Sequence, residues 1–269
     1  MKKVNMLNIS INNLSQLELL KELEYGIVFT PNVDHLMKLQ KEQEFFKAYS
    51  IADYIVCDSQ VLIYASRFLG TPLKEKISGA DFFSAFYTFH KYNEKIKIFL
   101  LGADTGVASK AQTKINDKLG RNIIVGSYSP SFGFENNALE CLKIVEIINR
   151  SSATVLAIGV GAPKQEKWIY KYRDKLPNIK IFLALGATID FEAGNKKRAP
   201  QWMSELGFEW LHRLLSEPKR LWKRYLIEDL PFFWLILKQK INLYKMPPSE
   251  EHKLELEEKS NENINWLIK

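Results

Sequence analysis

Short apolar runs alternate with segments of helical spacing along most of the chain. Ile96–Leu101, Ile123–Gly126, Thr154–Gly159 and Ile181–Leu185 read as buried strands, with helices predicted over Thr105–Leu119, Asn137–Asn149 and Lys164–Tyr172. Strands and helices in that rhythm form βαβ units, so a parallel sheet with right-handed crossovers and helices on both faces is expected. Upstream, Lys3–Ile11 alternates loosely as a strand or hairpin, and Leu14–Leu23 has helical spacing. Gly26–Thr30 and Tyr54–Cys57 read as further short strands. Helical spacing starts at Val33 and continues to Ala48. It returns from Gln60 to Phe68, where Gly70 and Pro72 stop it, and from a Ser78–Asp81 cap to Tyr92. The fold class expected is α/β, a Rossmann-like parallel sheet flanked by helices that includes an N-terminal α/β portion.

The texture changes after the last strand. Gly186–Arg198 reads as a loop carrying Lys196, Lys197 and Arg198. Pro200 then suits the first turn of a helix, with Trp202, Leu206, Trp210 and Leu214 at helical spacing. From Pro218 on, basic and aromatic residues mix with apolar bulk at Leu230–Leu237. This suits an amphipathic helix or helix pair interrupted near Pro231 and lying at a membrane interface; packing on its own domain or on another subunit is the other reading. The expected division is an α/β core over 1–195, a basic helical appendage over 196–245 and an acidic tail over 246–269, with Trp266–Ile268 as a docking point.

Charge sharpens that division. The 269 residues carry a net +7, and residues 196–245 hold eleven Lys/Arg against five Asp/Glu, whereas 246–269 hold three against six. An anionic partner for the basic third follows: nucleic acid, a phospholipid surface or a diphosphate. Charges interleaved with large apolar residues argue against a nucleic-acid stripe. Two cysteines and four scattered histidines give neither a disulfide scaffold nor a metal-ligand spacing, so no metal and no cofactor is expected. Met1–Asn12 lacks a sustained apolar core, and no apolar run reaches 18 residues, so neither a secretory leader nor a membrane span is expected.

Ligands of such sheets sit at the carboxyl ends of the strands. Thr30, Asn32, Asp58, Gly102, Asp104, Ser127, Gly159, Gly161 and the Gly186–Arg198 loop are therefore expected on one rim. Asp58 follows an apolar run, where desolvation would raise its pKa toward that of a general base; a helix N-cap is the plainer reading, and Ser59 would serve equally. Thr30 and Asn32 flank Pro31 as sugar or phosphate contacts or as turn residues. Gly159-Val160-Gly161 leads into a helix start, as phosphate-binding turns do, without a full dinucleotide or P-loop motif. Arg220 and Arg224, at i and i+4, can aim at one diphosphate from a single helix, with Arg213 near the same face, or they form a solvated basic face. The chain has no Asp-x-Asp, the metal-holding signature of many sugar-nucleotide transferases, and Asp190-Phe191-Glu192 is its nearest approximation.

GNKKRAPQWMSELGFEWLHRLLSEPKRLWKRYL resembles the C-terminal signature of the WecG/TagA/CpsF family of bacterial glycosyltransferases. The resemblance extends through TPNVDHL, VCDSQVL, KISGADFF, LLGADTGVA and GVGAPKQEKW, covering roughly residues 4–240. It implies an inverting, metal-independent transferase that moves a sugar from UDP, typically N-acetylmannosamine, to undecaprenyl-diphosphate-linked N-acetylglucosamine. The implied pathway is teichoic acid or surface polysaccharide synthesis. It implies Asp58 as catalytic base, places Thr30, the second catalytic candidate, in the sugar site with Asn32, and puts Gly159, Gly161 and Gln165 in the nucleotide-sugar pocket. Arg198, Arg213, Arg220 and Arg224 would lie at the diphosphate. It also implies a cytoplasmic protein held peripherally at the inner face of the membrane; a homo-oligomer is left open, and nucleic acid is not an expected partner. Asp58-Ser59 stands where family members more often have Asp-Gly, which keeps a glucosyl, galactosyl or uronic-acid donor open. A non-enzymatic nucleotide- or nucleic-acid-binding protein is the reading from a different class.

Overall fold

The computed structural model describes residues 2–247, so the expected acidic tail falls, from residue 248 on, outside the described residues. The chain opens with an antiparallel hairpin, β1 (Lys3–Met6) and β2 (Ile9–Asn12). There follow α1 (Gln16–Glu22), β3 (Gly26–Phe29), α2 (Val33–Leu39), α3 (Gln43–Tyr49), β4 (Tyr54–Ile55), α4 (Gln60–Leu69) and α5 (Gly79–Phe89). The regular part is β5 (Ile98–Gly102), α6 (Val107–Leu119), β6 (Ile124–Tyr128), α7 (Ala138–Arg150), β7 (Val155–Gly159), α8 (Lys164–Tyr172), β8 (Ile181–Ala184) and α9 (Thr188–Ala193). The appendage contains α10 (Gln201–Glu205), α11 (Glu209–Ser216), α12 (Pro218–Lys223), a π-helical turn Arg224–Glu228 and α13 (Pro231–Lys240).

Strands β3 to β8 form one sheet in the order β4-β3-β8-β7-β5-β6, and every neighbouring pair is parallel. Its central strands are apolar throughout because both faces are covered. One face packs Leu36, Phe45, Ile144, Trp168 and Ile169 from α2, α3, α7 and α8. The other packs Leu19, Phe82, Phe86, Ala111 and Ile189 from α1, α5, α6 and α9. The chain steps outward from β5 to β6 and then returns past β5 to β7, so α6 and α8 leave on opposite faces. That reversal opens a crevice between β5 and β7, the usual ligand position in open α/β sheets. Strand ends approach closely there: a Cβ at Gly102 would lie 2.4 Å from the Gly159 carbonyl oxygen, and one at Gly159 would lie 2.7 Å from that of Gly186.

The appendage rests on the core through α13. Phe232 and Ile236 enter the same buried cluster as α2 and α4, which stabilises the contact by about 1.5–3 kcal/mol each. The Leu7 N–H donates to Gln239 Oε1 at 2.8 Å, and Gln239 Nε2 donates to the Asn5 carbonyl at 3.0 Å, which joins α13 to the hairpin. Its other side leaves Phe233 and Trp234 each 59% exposed. Among the described residues no helix is long and apolar enough to cross a membrane.

Four local expectations change. The predicted helix Val33–Ala48 is two helices. The N–H groups of Lys41 and Glu42 both turn back to the Lys38 carbonyl, and Gln40 is held by Asn8 of the hairpin and by the Tyr244 hydroxyl. The Trp202–Leu214 helix is broken at Gly207, whose φ of 83° and the Phe208 N–H bond to the Met203 carbonyl form a left-handed C-terminal cap. Gly186–Arg198 is not one loop, because Thr188–Ala193 is helical and Gly194 caps it. Ser127 is not past a strand end but inside β6, with its hydroxyl on Gln112 Oε1.

Candidate active site

Pairing continues beyond β3 and β4. Val56 N–H donates to Phe29 O at 2.9 Å and Asp58 N–H to Pro31 O at 3.0 Å, which carries Asp58 to the carboxyl rim. Ile77 N–H donates to Cys57 O at 2.7 Å and lays the start of α5 alongside. The Asp58 carboxyl accepts the N–H of Gly79, the first residue of α5, at the positive end of that helix. Ser59, not Asp58, occupies the N-cap of α4, so the carboxyl is not spent as a cap.

Opposite this wall stands the appendage. α11 brings Glu209, Trp210 and Arg213, the π-helical turn brings Arg224, Tyr225 and Leu226, and α13 brings Phe233. Together with Asn32, Asp34, Asp58 and Lys76 of the core they enclose a cavity of about 220 Å³. Its charged lining is four carboxyls (Asp34, Asp58, Glu209, Asp229) and three cations (Lys76, Arg213, Arg224).

The charged groups of the lining have partners, and Arg224 pairs across from appendage to core. Arg213 donates to Glu209 Oε1 at 2.6 Å, and Lys76 donates to Ser204 Oγ at 2.6 Å. Arg224 lies 3.1 Å from Asp34 Oδ2, which Lys38 also holds at 2.5 Å. Burial raises the Asp58 carboxyl to about 8. Glu209 adds to that rise, while Arg213, Lys76 and the Gly79 N–H oppose it. Burial works against the Arg213 charge too, but Glu209 and Asp58 outweigh it and hold the guanidinium above its ordinary value. Burial, with Asp34 beside it, lifts Asp229 to about 7. At neutral pH Asp58 is therefore mostly protonated, and deprotonation near 8 makes it a base.

The other residues singled out in the sequence fall in four places. Asn32 lines the cavity, with its Oδ1 accepting the His35 N–H as the cap of α2. Thr30 is buried behind the wall with its hydroxyl 3.5 Å from the Ala184 carbonyl. Gly159, Gly161 and Gln165 belong to the sheet crevice. Gln165 Oε1 accepts the N–H groups of Gly161 at 3.3 Å and Gly186 at 3.0 Å, and its Nε2 donates to Glu166 Oε1 at 2.9 Å. Gly161, at φ 82°, has open space where a side chain would be. Arg213 and Arg224 reach the cavity, but Arg220 and Arg198 do not line it. Arg220 pairs with Glu217, and Arg198 pairs with Asp81 at 2.5 Å beside the Phe191 ring. The shared helical face expected for Arg220 and Arg224 is lost where α12 gives way to the π-helical turn at Arg224.

Lys76, Glu209, Asp34 and Asp229 carry no signal of their own, since single charged residues read as solvated. The Glu209–Arg213 spacing of i, i+4 is the one local hint.

The chain matches the sequence model of the Glycosyl transferase WecG/TagA/CpsF family over residues 4–246. It belongs to this family. Relatives are similar along nearly the whole length. The N-acetylglucosaminyldiphosphoundecaprenol N-acetyl-beta-D-mannosaminyltransferase of Bacillus subtilis (strain 168) is 30% identical over 227 residues, 84% of each chain. The protein of the same name from Staphylococcus aureus (strain MRSA252) is 27% identical over 240 residues, 86% of this chain and 90% of its own. As a WecG/TagA/CpsF member the chain is a glycosyltransferase, and the match spans both the α/β sheet and the helices that close the cavity over Asp58.

Proposed function

We propose that the chain transfers N-acetylmannosamine from its UDP ester to the N-acetylglucosamine of an undecaprenyl-diphosphate-linked acceptor, with inversion. Asp58 removes the proton of the acceptor hydroxyl as that oxygen bonds to the anomeric carbon. The bond from that carbon to the diphosphate oxygen breaks, and UDP leaves with the electron pair. Arg213 and Arg224 neutralise charge developing on the leaving group, with Lys76 nearby, so positive side chains do what a divalent cation does elsewhere. The sheet crevice at Gly159 and Gly161 takes the nucleotide end. The lipid lies along the apolar side of the cavity mouth, where Leu226, Leu230 and Phe233 stand, and the exposed stripe through Trp234 rests on the inner membrane face.

The observation that carries this reading is that one cavity joins a desolvated acid from the core to two arginines from the appendage. The test is UDP release with a lipid-diphosphate N-acetylglucosamine acceptor and a panel of UDP-sugars, with and without EDTA. UDP-N-acetylmannosamine is expected to be the preferred donor, EDTA to leave the rate unchanged and Asp58→Asn to lose roughly 10²–10⁴-fold in kcat. Near-normal turnover by folded Asp58→Asn removes the base. Preference for a glucosyl, galactosyl or uronic-acid donor overturns the choice of sugar.

A further inference from the structure

We propose that Glu209 is a positioning residue of the transfer: it fixes Arg213 directly and the Lys76 ammonium through Ser204, and so sets the arrangement of charge around Asp58. This rests on the reading of Asp58 as the base.

Glu209 opens α11 and uses both carboxylate oxygens. Oε1 accepts from Arg213, one turn on, at 2.6 Å, and Oε2 faces the Ser204 hydroxyl at 3.4 Å. Ser204 in turn accepts Lys76 Nζ at 2.6 Å on its hydroxyl and at 3.4 Å on its carbonyl. The relay Arg213–Glu209–Ser204–Lys76 thus begins on the appendage and ends on the core, two residues before the Ser78 cap of α5. The N–H of Gly79, the next residue, meets the Asp58 carboxyl. All four relay side chains line the cavity with Asp58.

An i, i+4 ion pair along a helix contributes little to stability by itself. What distinguishes Glu209 is where its charge acts. It opposes ionisation of Asp58 across the cavity, while Arg213 and Lys76, the two cations it organises, favour it. The remaining charged groups of the lining are engaged with one another, Asp34 with Lys38 and Arg224, and Asp229 beside Arg224. Tyr225 packs its ring on Trp210 and feels both Arg213 and Glu209. The base is therefore tuned by a unit that forms only when the appendage sits on the core.

The test uses the full chain and follows the Asp58 carboxyl by 13C NMR titration, with the signal assigned by its loss in Asp58→Asn. Glu209→Gln is expected to lower the Asp58 midpoint by roughly one pH unit, because it removes the like charge and frees Arg213. Ser204→Ala, a small change that keeps the fold, releases Lys76 and is expected to raise it by roughly half a unit. Glu209→Asp, which keeps the charge, is expected to hold the midpoint near the parent value. In turnover, Glu209→Gln is expected to lower kcat roughly tenfold with a smaller change in KM. A merely structural role gives no such opposed shifts. An unmoved midpoint in either folded variant overturns the inference and leaves the proposed function standing. Retained turnover by Asp58→Asn overturns both, because the base is then another group.

Discussion

Arg224 of the appendage lies 3.1 Å from the carboxylate of Asp34, a side chain of the core that is 4% exposed. Lys38 holds the same oxygen at 2.5 Å, and Asp229 stands 4.0 Å from Arg224 Nε. This is where the basic third of the chain meets the sheet, and it forms one end of the cavity that contains Asp58.

Removing that contact is expected to loosen the appendage. Arg224→Ala takes a charged hydrogen-bonding partner from a buried carboxylate and should destabilise the chain by about 1–3 kcal/mol, with Arg224→Lys recovering part of the loss. Thermal unfolding of both variants checks this. A melting temperature equal to the parent's would count against the contact.

Proton accounting at Asp58 gives a second expectation. Below about 8 its carboxyl keeps the proton and cannot accept another, so kcat/KM should rise with pH through that value and level off above it. A flat profile between about pH 6 and 9 contradicts it. The stability consequence runs the other way. With the folded value raised above the unfolded one, the folded state binds this proton more tightly. The contribution is full at low pH and is lost as pH climbs from the carboxylate range through 8. Asp58→Asn should therefore melt higher than the parent in alkaline buffer.

The exposed stripe of the appendage is expected to bind lipid. Trp234, 59% exposed beside the Lys238 ammonium, and Ile227, 52% exposed, offer apolar surface next to positive charge. The double variant Ile227→Ser/Trp234→Ser should lower partitioning onto anionic vesicles at least roughly tenfold in sedimentation. Equal partitioning would remove these side chains from the membrane contact.

Gly102 offers a test of the crevice. Its φ is 140°, and an added Cβ would lie 2.4 Å from the Gly159 carbonyl oxygen. Gly102→Ala must part β5 from β7, at a cost of roughly 2–4 kcal/mol, and should weaken UDP binding in calorimetry. A variant as stable as the parent would show that the strand ends can spread.

Much of this was legible in the sequence. From Ile98 to Ala184 every strand and α-helix lies within a few residues of its predicted position, because apolar runs separated by amphipathic helices have few alternative folds. The breaks at Gln40 and Gly207 were not legible. The apolar spacing runs on from Leu39 to Phe45 and from Leu206 to Trp210, while the contacts that turn the chain come from Asn8, Tyr244 and Met203. Asp58 stood out through its place after an apolar run. Lys76 and Glu209 did not, since their meeting through Ser204 spans 128 positions from Lys76 to Ser204.

One amide oxygen, that of Gln165, fastens the backbones of both Gly161 and Gly186. A displacement of that one side chain frees both turns at once, and while it stays in place each turn steadies the other. The appendage opposite is fastened too, by Phe232 and Ile236 in the core and by Gln239 on the hairpin, so admitting a long lipid and expelling UDP, as the proposed transfer requires, means parting those contacts. On that reading a covalent tether between appendage and core is expected to slow product escape before it slows bond breaking.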